Sequence, residues 1–356
     1  GREIKAKTKG VKYYYFRTPF YLSLADKMYY LYVDRIEKDW RSMFRQYCFR
    51  NRHYIKKITE TLDLKAYDAV NVENNMSLLE KLSEVMGEEF ERKCMYHMHS
   101  NLVDNEEMIP YLARCRKILA VSDYVKDHLY QTVPQLQNTE IVKVTNGIRG
   151  WTYSTEERQS LQEQMRDRYH VGEEETIYMF AGRVSPEKGV LEMTRAFRAV
   201  LPRLRHKSRL FIVGSASSGS DKESYYYRAV KKEAAQSPES IILTGYINHE
   251  DVAKYHVMAD AQIVPSIMDD PAPLTVLEGM SMGNFLLLSK AGGIPEYSAN
   301  YSNKIFFERG DSFEKNIRDA FLSYDQDKAP HRYENSANHF GEERYYRELA
   351  EAVDVS

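Results

Sequence analysis

Glycine is missing from a long early stretch of this chain: none occurs between Gly10 and Gly87. That excludes a Gly-rich phosphate loop after the first β-rich run, Val11–Phe16, and with it a G-x-G-x-x-G dinucleotide fingerprint. Cysteine is scarce as well. Cys48, Cys94 and Cys115 are the only three, at no metal-ligand spacing. They exclude a disulfide framework and point to a reducing compartment, the cytoplasm. No apolar run reaches the length of a transmembrane helix, and no signal peptide is visible. A net charge of −2 removes any global electrostatic argument for a nucleic-acid partner. Methionine does not stand first: the chain begins with Gly1, so the native start is expected to be missing or processed.

What is present is a chain of 356 residues, 43% hydrophobic and 29% charged, enough for two domains with full cores. Short apolar runs recur, each ending in a polar or Gly-containing loop. Tyr67–Val72 runs into Glu73-Asn74-Asn75. Cys94–Tyr96 runs into His97-Met98-His99-Ser100-Asn101. Ile118–Val121 leads to a helix at Ser122-Asp123, and Ile141–Thr145 to the turn Asn146-Gly147. Later runs at Thr176–Phe180, Leu210–Val213, Ile241–Leu243, Ala261–Val264 and Phe285–Leu288 repeat the pattern, with helical periodicity between them. Such units build a parallel sheet whose strand ends carry ligands. Residues 150–174 are polar and helical and read as the connection between two domains.

The most informative stretch is Val264–Glu296. A strand ends at Pro265-Ser266 and an acidic, Pro-rich loop follows at Asp269–Pro273. A helix then starts near Leu274 and Thr275, where free backbone N–H groups make an anion site. Asp270 precedes that start and Glu278 lies eight residues on, inside the helix. A carboxylate there can accept two ribose hydroxyls; taken singly, each residue also reads as an N-cap or a solvated acid. After the next strand comes Gly292-Gly293-Ile294-Pro295-Glu296. Upstream, Ala181-Gly182-Arg183 and Lys188-Gly189 follow a strand and precede a helix. Gly182 allows close backbone approach, and Arg183 and Lys188 can neutralise a pyrophosphate.

Two further features stay open on the residues alone. Asp26–Lys57 reads as one helix that mixes aromatic with basic side chains. It fits an ordinary surface helix, and it also fits peripheral contact with an anionic membrane face. His97 and His99 face the same way on a strand, but no third metal ligand is evident, so no metal is expected.

Together these stretches resemble the family-4 retaining glycosyltransferases, which have the GT-B fold. Asp270 stands where that family has the first Glu of its E-x7-E motif, and Glu278 stands at the second. Ala272-Pro273 replaces the usual Phe-Gly, and Pro273 removes a backbone donor. The G-R-x-x-x-x-K-G run from Gly182 is the second match, and the H-x-H-x-N run from His97 to Asn101 is a third. The resemblance implies an α/β fold of two Rossmann-like domains with parallel sheets facing a central crevice. Residues 1–150 would form the acceptor domain and 151–339 the nucleotide-sugar domain, with a terminal helix, 340–356, crossing back. It implies transfer of a sugar from a nucleotide-sugar, with retention and without cofactor or metal. Arg183, Lys188, Leu274 and Thr275 would stabilise the leaving diphosphate. Glu278 would hold the ribose, Asp270 and the Ala272 backbone the sugar hydroxyls, and His99 the donor sugar. Gly182 and Gly245 would lie against the donor, and Asn101 and Asn146 on the acceptor side. The expected partners are a UDP-sugar and a glycan or lipid-linked acceptor of bacterial envelope polysaccharide synthesis. A non-catalytic binding or chaperone subunit, and a sugar-nucleotide epimerase on the same fold, are the competing readings. The first would bind nucleotide without turnover; the second would need no acceptor.

Overall fold

The computed structural model describes residues 12–32, 49–102, 106–216, 224–326 and 340–354. Two separate sheets form, and every strand pairing in both is parallel. Parallel pairing follows from the long helical connections between strands, since a tight turn can join only antiparallel neighbours.

The first sheet contains β1 (Val70–Glu73), β2 (Cys94–Met98), β3 (Lys117–Ala120) and β4 (Ile141–Lys143), in sequence order. Its core is apolar on the covered face: Leu79, Leu82, Phe90, Leu112, Ile118 and Leu129 are all essentially inaccessible. The second sheet contains β5 (Thr176–Ala181), β6 (Ser208–Val213), β7 (Ile241–Gly245), β8 (Ala261–Val264), β9 (Phe285–Ser289) and β10 (Lys304–Phe307). Its order is β10-β9-β8-β5-β6-β7. The chain therefore winds one way from β5 and the other way from β8. The carboxyl ends of β5 and β8 flank the switch point, where such sheets open a ligand crevice. Strand β5 is buried at every position, as expected of a central strand covered on both faces. One covering helix, Val190–Val200, buries Val190, Met193, Ala196, Phe197 and Val200, an i, i+3, i+6, i+7, i+10 stripe.

The helix Glu342–Val353 returns to the first sheet. Leu349 and Ala352 pack with Leu119 and Val144. Arg344 donates to the carbonyls of Thr145 and Asn146 at 3.0 and 2.9 Å. Ile148 meanwhile bridges to Gly341. Other bonds tie the domains directly. The Tyr297 hydroxyl donates to the Val121 carbonyl at 2.6 Å and accepts from the Asn146 N–H at 3.2 Å. Glu296 accepts the first N–H groups of the helix Asp123–Thr132, from Asp123 and Tyr124, at 3.0 and 3.2 Å, and pairs with Lys143 at 3.2 Å. A carboxylate at a helix start is favoured by the dipole as well as by the unmet donors.

Three expectations change. Residues 12–19 form neither helix nor strand, so the β-rich run at Val11–Phe16 is no strand over its described part; Val11 itself lies outside the described residues. The Tyr67–Val72 strand starts only at Val70. The helix expected over 26–57 is divided into Phe20–Tyr32 and Phe49–Thr61, with residues 33–48 outside those described. Asp26 explains the arrangement: it is 8% exposed, accepts the Phe49 N–H at 2.6 Å and pairs with Arg50, so it caps the second helix from the first. Among the described residues no helix is long and apolar enough to cross a membrane.

Candidate active site in the interdomain crevice

Strand β5 runs into Gly182, whose φ of 147° no other residue type adopts readily. Here the loops after β5 and β6 nearly touch. A Cβ on Gly214 would collide with the Gly182 carbonyl. That close approach leaves a cleft of about 280 Å³ beside the switch point, lined by Gly182, Arg183, Tyr246, His249, Thr275 and Glu278 among others. Four residues named from sequence, Gly182, Arg183, Thr275 and Glu278, thus share one cavity although they span nearly a hundred positions.

Arg183 and Glu278 are the Arg and the carboxylate of this lining, and Lys188 and Asp270 stand outside it. Arg183 is 59% exposed and pairs with Glu187 at 2.8 Å. Lys188 is paired with Asp270. The two residues expected to meet opposite ends of a sugar-diphosphate therefore hold each other in this state. The helix Leu274–Ser281 has Pro273 as its N-cap, without a side-chain cap. The N–H groups of Leu274 and Thr275 stand in its first turn, where a helix supplies no internal partner. Asp270 is not that cap; its Oδ1 accepts only the Ala272 N–H, at 3.4 Å.

The acidic loop is shaped by the Gly-Gly pair after β9. Gly292 donates to Asp269 Oδ1 and Gly293 to the Asp270 carbonyl, both at 2.8 Å. A Cβ on Gly292 would come within 2.5 Å of the Asp270 carbonyl oxygen, and its φ of 56° already favours glycine. Arg309 braces the loop through Asp269 at 2.8 Å.

Glu278 is 12% exposed, with His249 Nδ1 at 3.8 Å and His256 Nε2 at 3.9 Å. Trp151 lies over both rings, at 5.1 and 5.8 Å. His256 is buried and its Nδ1 donates to Asn284 Oδ1 at 2.9 Å, because the Asn284 amide nitrogen is already used on the His256 and Ala259 carbonyls. These three aromatic neighbours were not identified from sequence. One signal was legible: His249 and His256 are seven residues apart on one helix, His249–Met258, and so lie on one face. Nothing in the connecting segment marked Trp151.

On the first domain, His99 sits just beyond β2, and its Nε2 donates to Glu73 Oε2 at 2.8 Å. His97 Nδ1 reaches the same oxygen at 3.1 Å. Burial pushes the Glu73 carboxyl up, but hydrogen bonds from His97 and His99 and their charges outweigh it and hold the pKa at about 2. Glu73 is therefore the third member of a group that the His pair alone did not reveal. Parallel register brought it there, opposite His97 across β1 and β2.

The remaining residues are placed as follows. Asn101 reaches across the crevice, its Nδ2 donating to the Asp269 carbonyl at 3.0 Å. Asn146 lends both backbone groups to the interdomain joint, to Tyr297 and Arg344. Ala272 is half-buried and packs against the first-domain core as well as the cluster around Val276 and Ile294. Gly245, with φ of 71°, turns the chain at the end of β7, and its neighbour Tyr246 lines the cleft instead.

Residues 161–340 match the family described as Glycosyl transferases group 1. Among curated proteins, the chain is 26% identical over 248 residues to the lipopolysaccharide 1,2-N-acetylglucosaminetransferase of Salmonella typhimurium, covering 68% of this chain and 60% of that one. The chain spans 60% or less of the length of the relatives it matches in sequence. Among solved structures, a glycosyltransferase from Rickettsia africae superposes with a TM-score of 0.67 at 18% identity, over 85% of this chain and 80% of the other. Anabaena Alr3699/HepE in complex with UDP and glucose superposes with a TM-score of 0.68 at 17% identity, over 84% and 80%. The two-sheet architecture is therefore that of the GT-B glycosyltransferases.

Proposed function

This chain belongs to the group 1 glycosyl transferases, and from that premise we propose that it moves a sugar from a UDP-sugar to a glycan or lipid-linked acceptor in cell-envelope polysaccharide synthesis. The observation that carries this reading is the cleft at the switch point of the second sheet, where Gly182, Arg183, Thr275 and Glu278 meet. Its parts match a nucleoside diphosphate: a carboxylate for ribose, aromatic rings beside it, and a cationic rim with a helix start for phosphate. The UDP-sugar class is supported by the HepE complex with UDP and glucose, and the envelope role by the lipopolysaccharide transferase.

In this mechanism the bond from the anomeric carbon to the diphosphate oxygen breaks while the acceptor oxygen adds to the same face, giving retention. The acceptor proton passes to the departing phosphate oxygen. Arg183, Lys188 and the N–H groups of Leu274 and Thr275 stabilise the growing negative charge, so the step needs no metal. Preorganised electrostatics of this kind is the largest catalytic contribution in many enzymes. For Lys188 to serve, its pairing with Asp270 opens when donor binds, and the freed carboxylate turns to the sugar hydroxyls. His99 faces the sugar from the other domain, held by Glu73. Crevice closure excludes water and limits hydrolysis. The basic, aromatic surface of the helices Phe20–Tyr32 and Phe49–Thr61, with Phe20, Tyr21, Leu24 and Met28 exposed, supports contact with a membrane-borne acceptor at the cytoplasmic face.

A thermal-shift panel with UDP, GDP and ADP tests the donor reading, since a ligand bound only by the native state raises the midpoint. UDP alone should do so. A shift with GDP or ADP but not UDP overturns the donor class. No shift with any of the three overturns the nucleotide-sugar reading.

A further inference from the structure

The cluster at the carboxyl ends of β1 and β2, which holds His99 in the proposed transfer, has a second chemistry open to it. Glu73 lies opposite His97 in the parallel register, and the two-residue period of β2 turns His97 and His99 to the same side. The two rings are 4.1 Å apart. One ligand-type atom from each of the three residues lies within 4.8 Å of the others.

His97 is 0% exposed and turns its Nδ1 to Glu73, so an imidazole is buried here with one ring nitrogen on the carboxylate. A supporting layer surrounds the group. Asn71 Nδ2 donates to Glu73 Oε1 at 2.6 Å, and Asn74 Oδ1 accepts from the His99 N–H and the Ser100 hydroxyl at 3.2 and 3.0 Å. Asn74 does this from a φ of 47°, a conformation few non-glycine residues adopt. Asn71 thus holds the carboxylate and Asn74 the backbone that carries His99, the kind of support a ligand set needs.

We propose that Glu73, His97 and His99 form a binding site for a divalent transition-metal ion of the zinc class, with a further coordination position open to the crevice. Two imidazoles and one carboxylate suit zinc or cobalt and not magnesium or calcium, which take oxygen ligands. Tetrahedral zinc with bonds of about 2.0–2.2 Å sets its ligand atoms roughly 3.3–3.5 Å apart. Here Glu73 Oε2 is 2.8 Å from His99 Nε2 and 3.1 Å from His97 Nδ1, so these two pairs open by roughly 0.2–0.7 Å to reach that spacing. Glu73 is 53% and His99 32% exposed, which leaves an entry path and a solvent-facing position. An ion held here takes the ring that the transfer mechanism sets against the donor sugar, so it would compete with transfer and not assist it.

The test uses the full chain, stripped with chelator and titrated with zinc chloride by calorimetry and with cobalt chloride by visible absorption. One equivalent of zinc should bind, cobalt should give tetrahedral ligand-field bands, and magnesium should give no signal. Glu73→Gln and His99→Asn change partly exposed side chains and should each lower zinc affinity at least tenfold. The thermal midpoint of each variant checks that it remains folded. Zinc bound equally well by both variants assigns the ion to other histidines and overturns the proposal. Absence of cobalt bands with the unaltered chain overturns it too. Nucleotide is left out, so a failure here leaves the donor reading untouched, and a failure of the nucleotide panel leaves this site untouched.

Discussion

Replacing Asp270 with Asn asks which partner owns Lys188. In the free protein the lysine is paired with Asp270, with side-chain exposures of 31% and 13%. Exposed ion pairs contribute about 0.2–1 kcal/mol, and this one, more enclosed than most, belongs near the upper figure. A charge-assisted bond from Lys188 to a diphosphate oxygen contributes about 1.5–3 kcal/mol. The diphosphate therefore wins the lysine, with a net gain of roughly 0.5–2 kcal/mol after the existing pair is broken. Lys188→Ala should then weaken UDP binding by roughly 2- to 30-fold, less than a lone lysine would suggest. Asp270→Asn removes the competitor, so UDP should bind up to about 5-fold more tightly, while transfer falls because the sugar loses its acceptor carboxylate. Calorimetric titration with UDP, alongside initial rates with a UDP-sugar, separates the two effects. If Asp270→Asn weakens UDP binding, Asp270 and Lys188 act on the donor as a unit and the competition argument is wrong.

Glu278→Gln should lower UDP affinity by about 1.5–3 kcal/mol while leaving inorganic diphosphate binding unchanged, because the carboxylate serves the ribose; equal losses for both ligands would move it to the phosphates. Glu175 gives a pH prediction. Burial pushes its carboxyl up, but bonds from Arg209, the Gly172 N–H and Lys207 outweigh that and hold the pKa at about 2, below the ordinary 4.5. A depressed carboxyl stabilises the fold above its unfolded pKa and loses that contribution as pH falls through the folded one. The stability should therefore drain between about pH 4.5 and 2. Glu175→Gln should cost about 3 kcal/mol at neutral pH and flatten that acid limb in denaturation curves, since Arg209, 14% exposed, loses that carboxylate and keeps the Tyr169 and His170 carbonyls. Tyr297→Phe removes the hydroxyl that joins Val121 and Asn146, and should cost about 1–2 kcal/mol in urea unfolding. No change would mean the domain joint rests on Glu296 and the terminal helix.

Local pattern carried far in the second domain and less far in the first. Each strand from Thr176 to Ser289 was legible because it is a short apolar run stopped by Gly, Pro or Ser, and central parallel strands tolerate little else. Part of the cleft lining was legible for the same reason: Gly182, Arg183, Thr275 and Glu278 lie within or just beyond single strand-loop-helix units. In the first domain, the helix expected over 26–57 gives way to two described helices joined through Asp26, and no periodicity announces that a carboxylate will cap a helix 23 residues later.

The sequence by itself determined the parallel α/β class and several of the residue types that line the cleft, because these follow from short-range periodicity and from loop chemistry at strand ends. Only the tertiary structure decided what those residues face. It paired Lys188 with Asp270 and Arg183 with Glu187. It set His256 and Trp151 behind Glu278, and brought Glu73 to His97 and His99. It also turned Asn101 and Asn146 into ties between domains. Each of these contacts depends on strand register or on the docking of one domain against the other. Those are settled by the sum of many packing contacts over both sheets, and no window of neighbouring residues contains that sum.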